Sequence, residues 1–169
     1  MSAGIDKPGM PWRGLLFALC CGLSVGGPAQ AGAAPLAGAD PLIQVITLER
    51  DCFACANGSS LSLHRNGTAW LTLNGKARHG TPDVRSRATL ALSDFEALAA
   101  LLHVQHFFSL ADNYDDPETR DGAWVNWRVE RAGELKQVFR REGCGPEALN
   151  LLESAVAELQ ARLHFNPEP

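Results

Sequence analysis

Two cysteines set two residues apart, Cys52-x-x-Cys55, are the densest piece of potential chemistry in this sequence. Three chemistries use such a pair: a structural disulfide, a redox-active dithiol, and half of a zinc site. Redox turnover needs the first thiol to be acidified, usually by a helix N-terminus. Here the pair runs into Ala56-Asn57-Gly58-Ser59-Ser60, which reads as a turn leading into a strand. A zinc site would recruit Cys144 and a histidine, because no second closely spaced pair exists. A c-type haem needs a histidine directly after the second cysteine, and Ala56 excludes it. The structural bond is the favoured reading, with the other two kept as alternatives.

Other chemistry-bearing residues are more scattered. His103 and His106 stand three apart and could share a helix face, but a metal needs further ligands; two exposed positions near a helix end is the simpler reading. The stretch at 111–122 holds Asp112, Asp115, Asp116, Glu118 and Asp121. An EF-hand loop started at Asp112 would require glycine where Pro117 stands, so a solvated acidic loop is expected. No Gly-x-Ser-x-Gly, His-Glu-x-x-His or phosphate loop occurs. Trp70 and Trp124, with Arg85, Arg87 and Arg128, fall on polar faces of alternating runs and form a candidate binding face.

These residues need a scaffold, and its location comes from the N-terminus. Lys7 and Arg13 precede an apolar run at 15–25, which is too short to span about 30 Å of hydrocarbon. Ala29-Gln30-Ala31 then fits a small-residue cleavage site, so 1–31 reads as a secretory signal peptide. A lipid anchor at Cys20 or Cys21 would require a small residue before the cysteine, whereas Leu19 and Cys20 stand there. The expected location is periplasmic or secreted, with no transmembrane anchor after cleavage.

Removing the leader with Asp6, Lys7 and Arg13 leaves thirteen basic against eighteen acidic side chains, net −5. A mildly acidic domain without a basic stripe speaks against nucleic acid as partner. Cys20 and Cys21 leave too, so three cysteines meet an oxidising compartment. Their closeness favours a bond between Cys52 and Cys55, with Cys144 free. The rival pairing of Cys144 with either one would close a loop of about 90 residues, worth roughly 4–5 kcal/mol against about 2 for the short loop.

After a small-residue linker at 32–41, residues 42–49 read as a strand. The runs 60–65 and 68–73 alternate around Asn66-Gly67, a hairpin signal whose two central residues take positive φ. Asn74-Gly75 repeats that signal, and 84–90 alternates again. Ser93-Asp94-Phe95-Glu96 has the form of a capping box opening a helix. Phe107, Phe108 and Leu110 then dock the chain into the core. Runs at 123–131 and 134–141 form a last hairpin around Ala132-Gly133. Pro146 opens a helix with Leu149, Leu152, Val156, Leu159 and Leu163 on one stripe, and Pro167 stops it.

The expected fold class is α+β: an antiparallel sheet of about six strands, ordered ββββ-α-ββ-α, with two helices packed on one face, forming a single domain over 42–165. The expected core is Ile46, Leu61, Leu63, Leu71, Leu73, Phe95, Leu98, Leu102, Val125, Val129, Leu152, Val156 and Leu159.

In order along the chain, Ile46-Thr47-Leu48-Glu49-Arg50, Cys52-Phe53 with Cys55, Asn66-Gly67-Thr68, Phe107-Phe108-Ser109-Leu110, Tyr114 and the Pro146 helix resemble a bacterial envelope family, domain-of-unknown-function family 6438. The resemblance covers roughly 43–163. The family pattern spaces its cysteines one residue further apart and follows the second with proline; here Ala56 stands there, and Cys144 is extra to the pattern. The resemblance supplies no activity. The expected function is a non-catalytic periplasmic binding or interaction module for an envelope protein or small ligand, with no cofactor. The alternatives are a thiol–disulfide oxidoreductase using Cys52 and a metal-binding envelope protein.

Overall fold

In a computed structural model of the chain, the described residues are 39–52, 55–76, 79–116, 118 and 122–168. The expected leader and most of the linker lie outside them, as do Phe53, Pro117 and Asp121. The sheet is built around β1 (Ile43–Asp51), which pairs antiparallel with β2 (Ser59–His64) on one side. On its other side it pairs with a strand far along the chain, Trp124–Arg131. Ile46 and Leu48 alternate inward, as period-two patterning requires. Strict alternation would turn Ile43 outward. A bulge between Ile43 and Val45 shifts the register by one residue and returns Ile43 to the core, where it is fully buried.

From β2 the sheet continues through β3 (Thr68–Leu73) and β4 (Val84–Thr89). The chain then passes through α1 (Leu92–Val104), a short turn of 3-10 helix (Phe107–Ser109) and β5 (Asn113–Tyr114). Next come β6 (Trp124–Arg131), β7 (Glu134–Arg141), α2 (Glu147–Arg162) and β8 (Asn166–Pro167). The sheet has eight strands in the order β5-β7-β6-β1-β2-β3-β4-β8, antiparallel except for β5 with β7. The two strands beyond the expected six are two residues long, too short to show a period. Pro167 therefore lies in an edge strand, where its missing N–H does no harm, and the helix it was expected to stop ends at Arg162.

The turns correct two expectations. Only Gly67 takes positive φ at the first hairpin, at 89°. His64 pairs with Thr68, so three residues make the loop, and Gly67 N–H donates to His64 O at 3.1 Å. The Asn66 side chain accepts the Thr68 N–H at 3.1 Å, which holds Asn66 outside the left-handed region. Asn74-Gly75 makes no tight turn at all. Its backbone lies against the returning loop, where a Cβ on Gly75 would stand 2.0 Å from Thr81 O, and Asp83 accepts the Gly75 N–H at 2.7 Å. The last hairpin turns as expected, with Ala132 at φ 43° and Gly133 at 85°.

The helices bury most of the stripes expected of them: Phe95, Leu98 and Leu102 from α1, joined by Ala99, and Leu149, Leu152, Val156 and Leu159 from α2, whereas Leu163 follows the helix end and is half-buried. These join Ile46, Leu61, Leu63, Val129 and Val138 in one core cluster. Trp127, omitted from the expected core, is its largest fully buried side chain, and Phe107 lies 5.8 Å from it. Leu73 is the reverse case: at the end of β3 it is 41% exposed. The capping box does not form. Ala91 is the N-cap of α1, with no side-chain bond, and Glu96 instead meets Arg65 at 3.4 Å. At α2 the cap is Pro146 itself, one residue before the helix.

A cleft beside the disulfide

Cys52 and Cys55 are bonded, with Cα atoms 5.1 Å apart, and Cys144 is free. The bond closes the loop that leaves β1 directly after Asp51. Asp51 accepts the Cys52 N–H at 2.8 Å, and Cys55 N–H donates to Cys52 O at 3.2 Å. Gly58 lets the loop pass close to this carboxylate: a Cβ would stand 2.7 Å from the Asp51 oxygen, which would have to shift.

Beside this loop lies a cleft of about 370 Å³, lined among others by Arg50, Asp51, Cys55, Trp124, Arg140, Glu142 and Glu153. Strand register explains why two arginines meet there. Arg50 follows Ile46 and Leu48 on the inward face of β1, and Arg140 follows Val138 on the inward face of β7, each paired with Val125 of β6. Arg140 is only 5% exposed. Its guanidinium grips Glu153 through Nε at 2.7 Å and Nη2 at 2.8 Å, the first an ion-pair contact without hydrogen-bond alignment. Nη1 donates to Asn150 Oδ1 at 2.8 Å and to Cys144 O at 3.2 Å. Arg140 and Glu153 therefore neutralise each other.

Arg50 is left in a different state. Its one hydrogen bond among the described residues is a long one, Nη2 to Glu153 O at 3.5 Å. Burial pulls its pKa below the ordinary guanidinium value; Glu153 opposes this and Arg140 adds to it. A guanidinium stays charged under any ordinary condition. The cleft thus holds a half-buried positive charge that makes a single long hydrogen bond among the described residues.

The expected tryptophan–arginine face divides into two places. Trp70 lies on the outer face of β3 with the Arg85 guanidinium 4.0 Å and that of Arg87 5.5 Å from its ring centre. Arg128 belongs to the same cross-strand row, which runs Arg87, Trp70, Ser62, Thr47, Arg128, and it is exposed. Trp124 is elsewhere: three strand spacings from Trp70, about 14 Å across the sheet, and at the other end of β6. It packs on Phe139 at 6.0 Å on the face opposite Val125, and the residue borders the end of the cleft. His103 and His106 are exposed, and no group of three or more metal-ligating residues exists among the described residues. The acidic loop is tied to β7 through Asp112 with Lys136 and Asp115 with Arg141.

Sequence reasoning missed Arg140 and Glu153, and took Arg50 only as part of the motif shared with the family it resembles. The available signal was a charge in the buried phase of an alternating strand, at 50 after 46 and 48, and at 140 after 138. No family model matches the chain, and no curated protein matches it.

Proposed function

We propose that this protein is an exported, non-catalytic binding module and that the cleft beside the Cys52–Cys55 bond is its ligand site. The observation that carries this reading is Arg50, a charged side chain with a single long hydrogen bond among the described residues, in a cleft bordered by the disulfide at Cys55. Concave, partly apolar sites with a few directed polar groups are where small ligands bind. The leader motif places the module in the periplasm or outside the cell, and the ordered resemblance to domain-of-unknown-function family 6438 agrees with an envelope role. In this reading both helices cover one face of the sheet, and the disulfide fixes one wall of the cleft.

The oxidoreductase alternative meets a physical obstacle. Cys52 follows a strand, and the Asp51 carboxylate beside it disfavours a thiolate, the opposite of what a reactive cysteine needs. Equilibration with glutathione is expected to return a reduction potential below about −300 mV, as for structural bonds; a value near −120 to −200 mV supports the oxidoreductase instead. The binding reading is tested by screening small fragments against the exported protein with amide and indole NMR signals as the readout. Saturable shifts at Cys55, Asn57 and Trp124 are expected. Shifts confined to Trp70, Arg85 and Arg87 would move the site to the outer face.

A further inference from the structure

We infer that the outer face of the sheet carries a site of its own, independent of the cleft. There Arg85 and Arg87, gathered on Trp70, take a tetrahedral oxyanion, the phosphate or sulfate ester group of a larger molecule. Strand register sets up the arrangement. Arg85 and Arg87 stand two apart on β4, so they share a face, and Arg87 pairs directly with Trp70 of β3. Their guanidiniums lie 4.0 Å and 5.5 Å from the centre of the same ring. Attraction to a ring face occupies no N–H group, so the indole holds both forks in place and leaves their donors available.

These two arginines differ from the others in lacking a carboxylate. Arg65 and Arg131 also lie over rings, those of Phe95 and Phe108, but Arg65 is paired with Glu96, and Arg131 with Asp40 and Glu134. Arg140, Arg141 and Arg162 are paired as well. Arg85 and Arg87 are exposed, and neither side chain makes an ion pair or hydrogen bond among the described residues. Two like charges are thus held against one indole with no counter-charge in contact.

Two carboxylates flank the pair along the chain and across the strand, Asp83 and Glu168. Asp83 accepts the Gly75 N–H at 2.7 Å, and the Glu168 backbone N–H donates to Arg85 O at 2.9 Å. They lower the local charge, so fork geometry rather than net charge selects the ligand. A carboxylate is filled by one fork, whereas a phosphate or sulfate has a further oxygen for the second. Both arginines are exposed, so a free ion would keep much of its water there, while an ester brings a body that can lie on the sheet.

The test uses the disulfide-intact exported protein, read through the Trp70 indole N–H signal, assigned with Trp70→Phe. The probes are phenyl phosphate, phenyl sulfate, inorganic phosphate and benzoate. The two esters are expected to shift that signal saturably and to bind about fivefold more tightly than benzoate, the scale of one exposed charge contact. Arg85→Ala and Arg87→Ala should each weaken phenyl phosphate by a similar factor. Arg85→Lys, which keeps the charge and loses the fork, should weaken it too, and Glu168→Gln should strengthen it. Arg128→Ala is the control. Arg128 is exposed and unpaired on the same face, four strand spacings or about 19 Å from Arg87, and its loss should leave binding unchanged. An effect of Arg128→Ala as large as that of Arg85→Ala would reveal diffuse attraction and overturn the site. Equal binding of benzoate overturns the tetrahedral selection, and inorganic phosphate binding as tightly as phenyl phosphate overturns the ester. Absence of any saturable shift at Trp70 overturns the inference outright. Circular dichroism checks that each variant folds; if an alanine variant does not, Arg85→Lys and the benzoate comparison still decide the matter.

Discussion

Arg140 shows how one side chain can be structural while its neighbour is free. Glu153 is the only carboxylate among the described residues that it contacts, and Arg140 is 5% exposed. Glu153→Gln should therefore strand a buried charge and lower stability by about 3 kcal/mol in chemical denaturation, the range for breaking one side of a buried pair. A second residue gives a pH signature. His64 accepts or shares a hydrogen bond with Ser62 at 3.1 Å, and its pKa is lowered chiefly by burial, with Arg85 adding and Glu130 opposing. The folded protein then holds this proton less tightly than the unfolded chain. Stability from this group is complete above the unfolded value near 6.5 and falls as pH drops below it. Unfolding curves at pH 7 and pH 5 should show a smaller acid loss in His64→Gln than in the parent. At this scale the cysteine pairing was legible from spacing. The pairing of Arg140 with Glu153 was not, because it joins a strand to a helix through tertiary packing that no local pattern encodes.

Among the elements, α2 was the easiest to read. Its leucine and valine stripe repeats every three and four residues, and Leu149, Leu152, Val156 and Leu159 are all buried. Leu152→Ala should cost about 2–5 kcal/mol, as expected for a large-to-small core change; a loss under about 0.5 kcal/mol, the size of an ordinary surface effect, would contradict the buried stripe. The start of α1 was misread for an instructive reason. The Ser93-to-Glu96 spacing suits a capping box, but Glu96 pairs with Arg65 and the helix is capped two residues earlier, at Ala91. Local spacing lists the bonds a side chain could make, and tertiary partners choose among them. The same lesson holds for Asn74-Gly75, whose glycine serves close backbone approach to Thr81 and Pro82 rather than a tight turn.

For the whole molecule, intact-mass analysis of the exported fraction should find a chain starting at Gly32, and a lipid-bearing species starting at Cys20 or Cys21 would refute that. The α+β class followed from the order of patterns, but strand order did not. Nothing in residues 43–51 announces that this strand sits mid-sheet with Trp124–Arg131 beside it. That placement has a kinetic consequence. The contact between Glu49 and Asn126 spans 77 residues, so one side of β1 can be completed only after most of the chain has emerged. Contacts of such long sequence separation slow the search for the native state. While β6 is still missing, β1 is a bare edge rich in isoleucine and valine, and bare edges template self-association. A chain delivered N-terminus first should therefore be most prone to aggregate just before its last hairpin arrives, and truncation ahead of Trp124 should convert a folding protein into a sticky one.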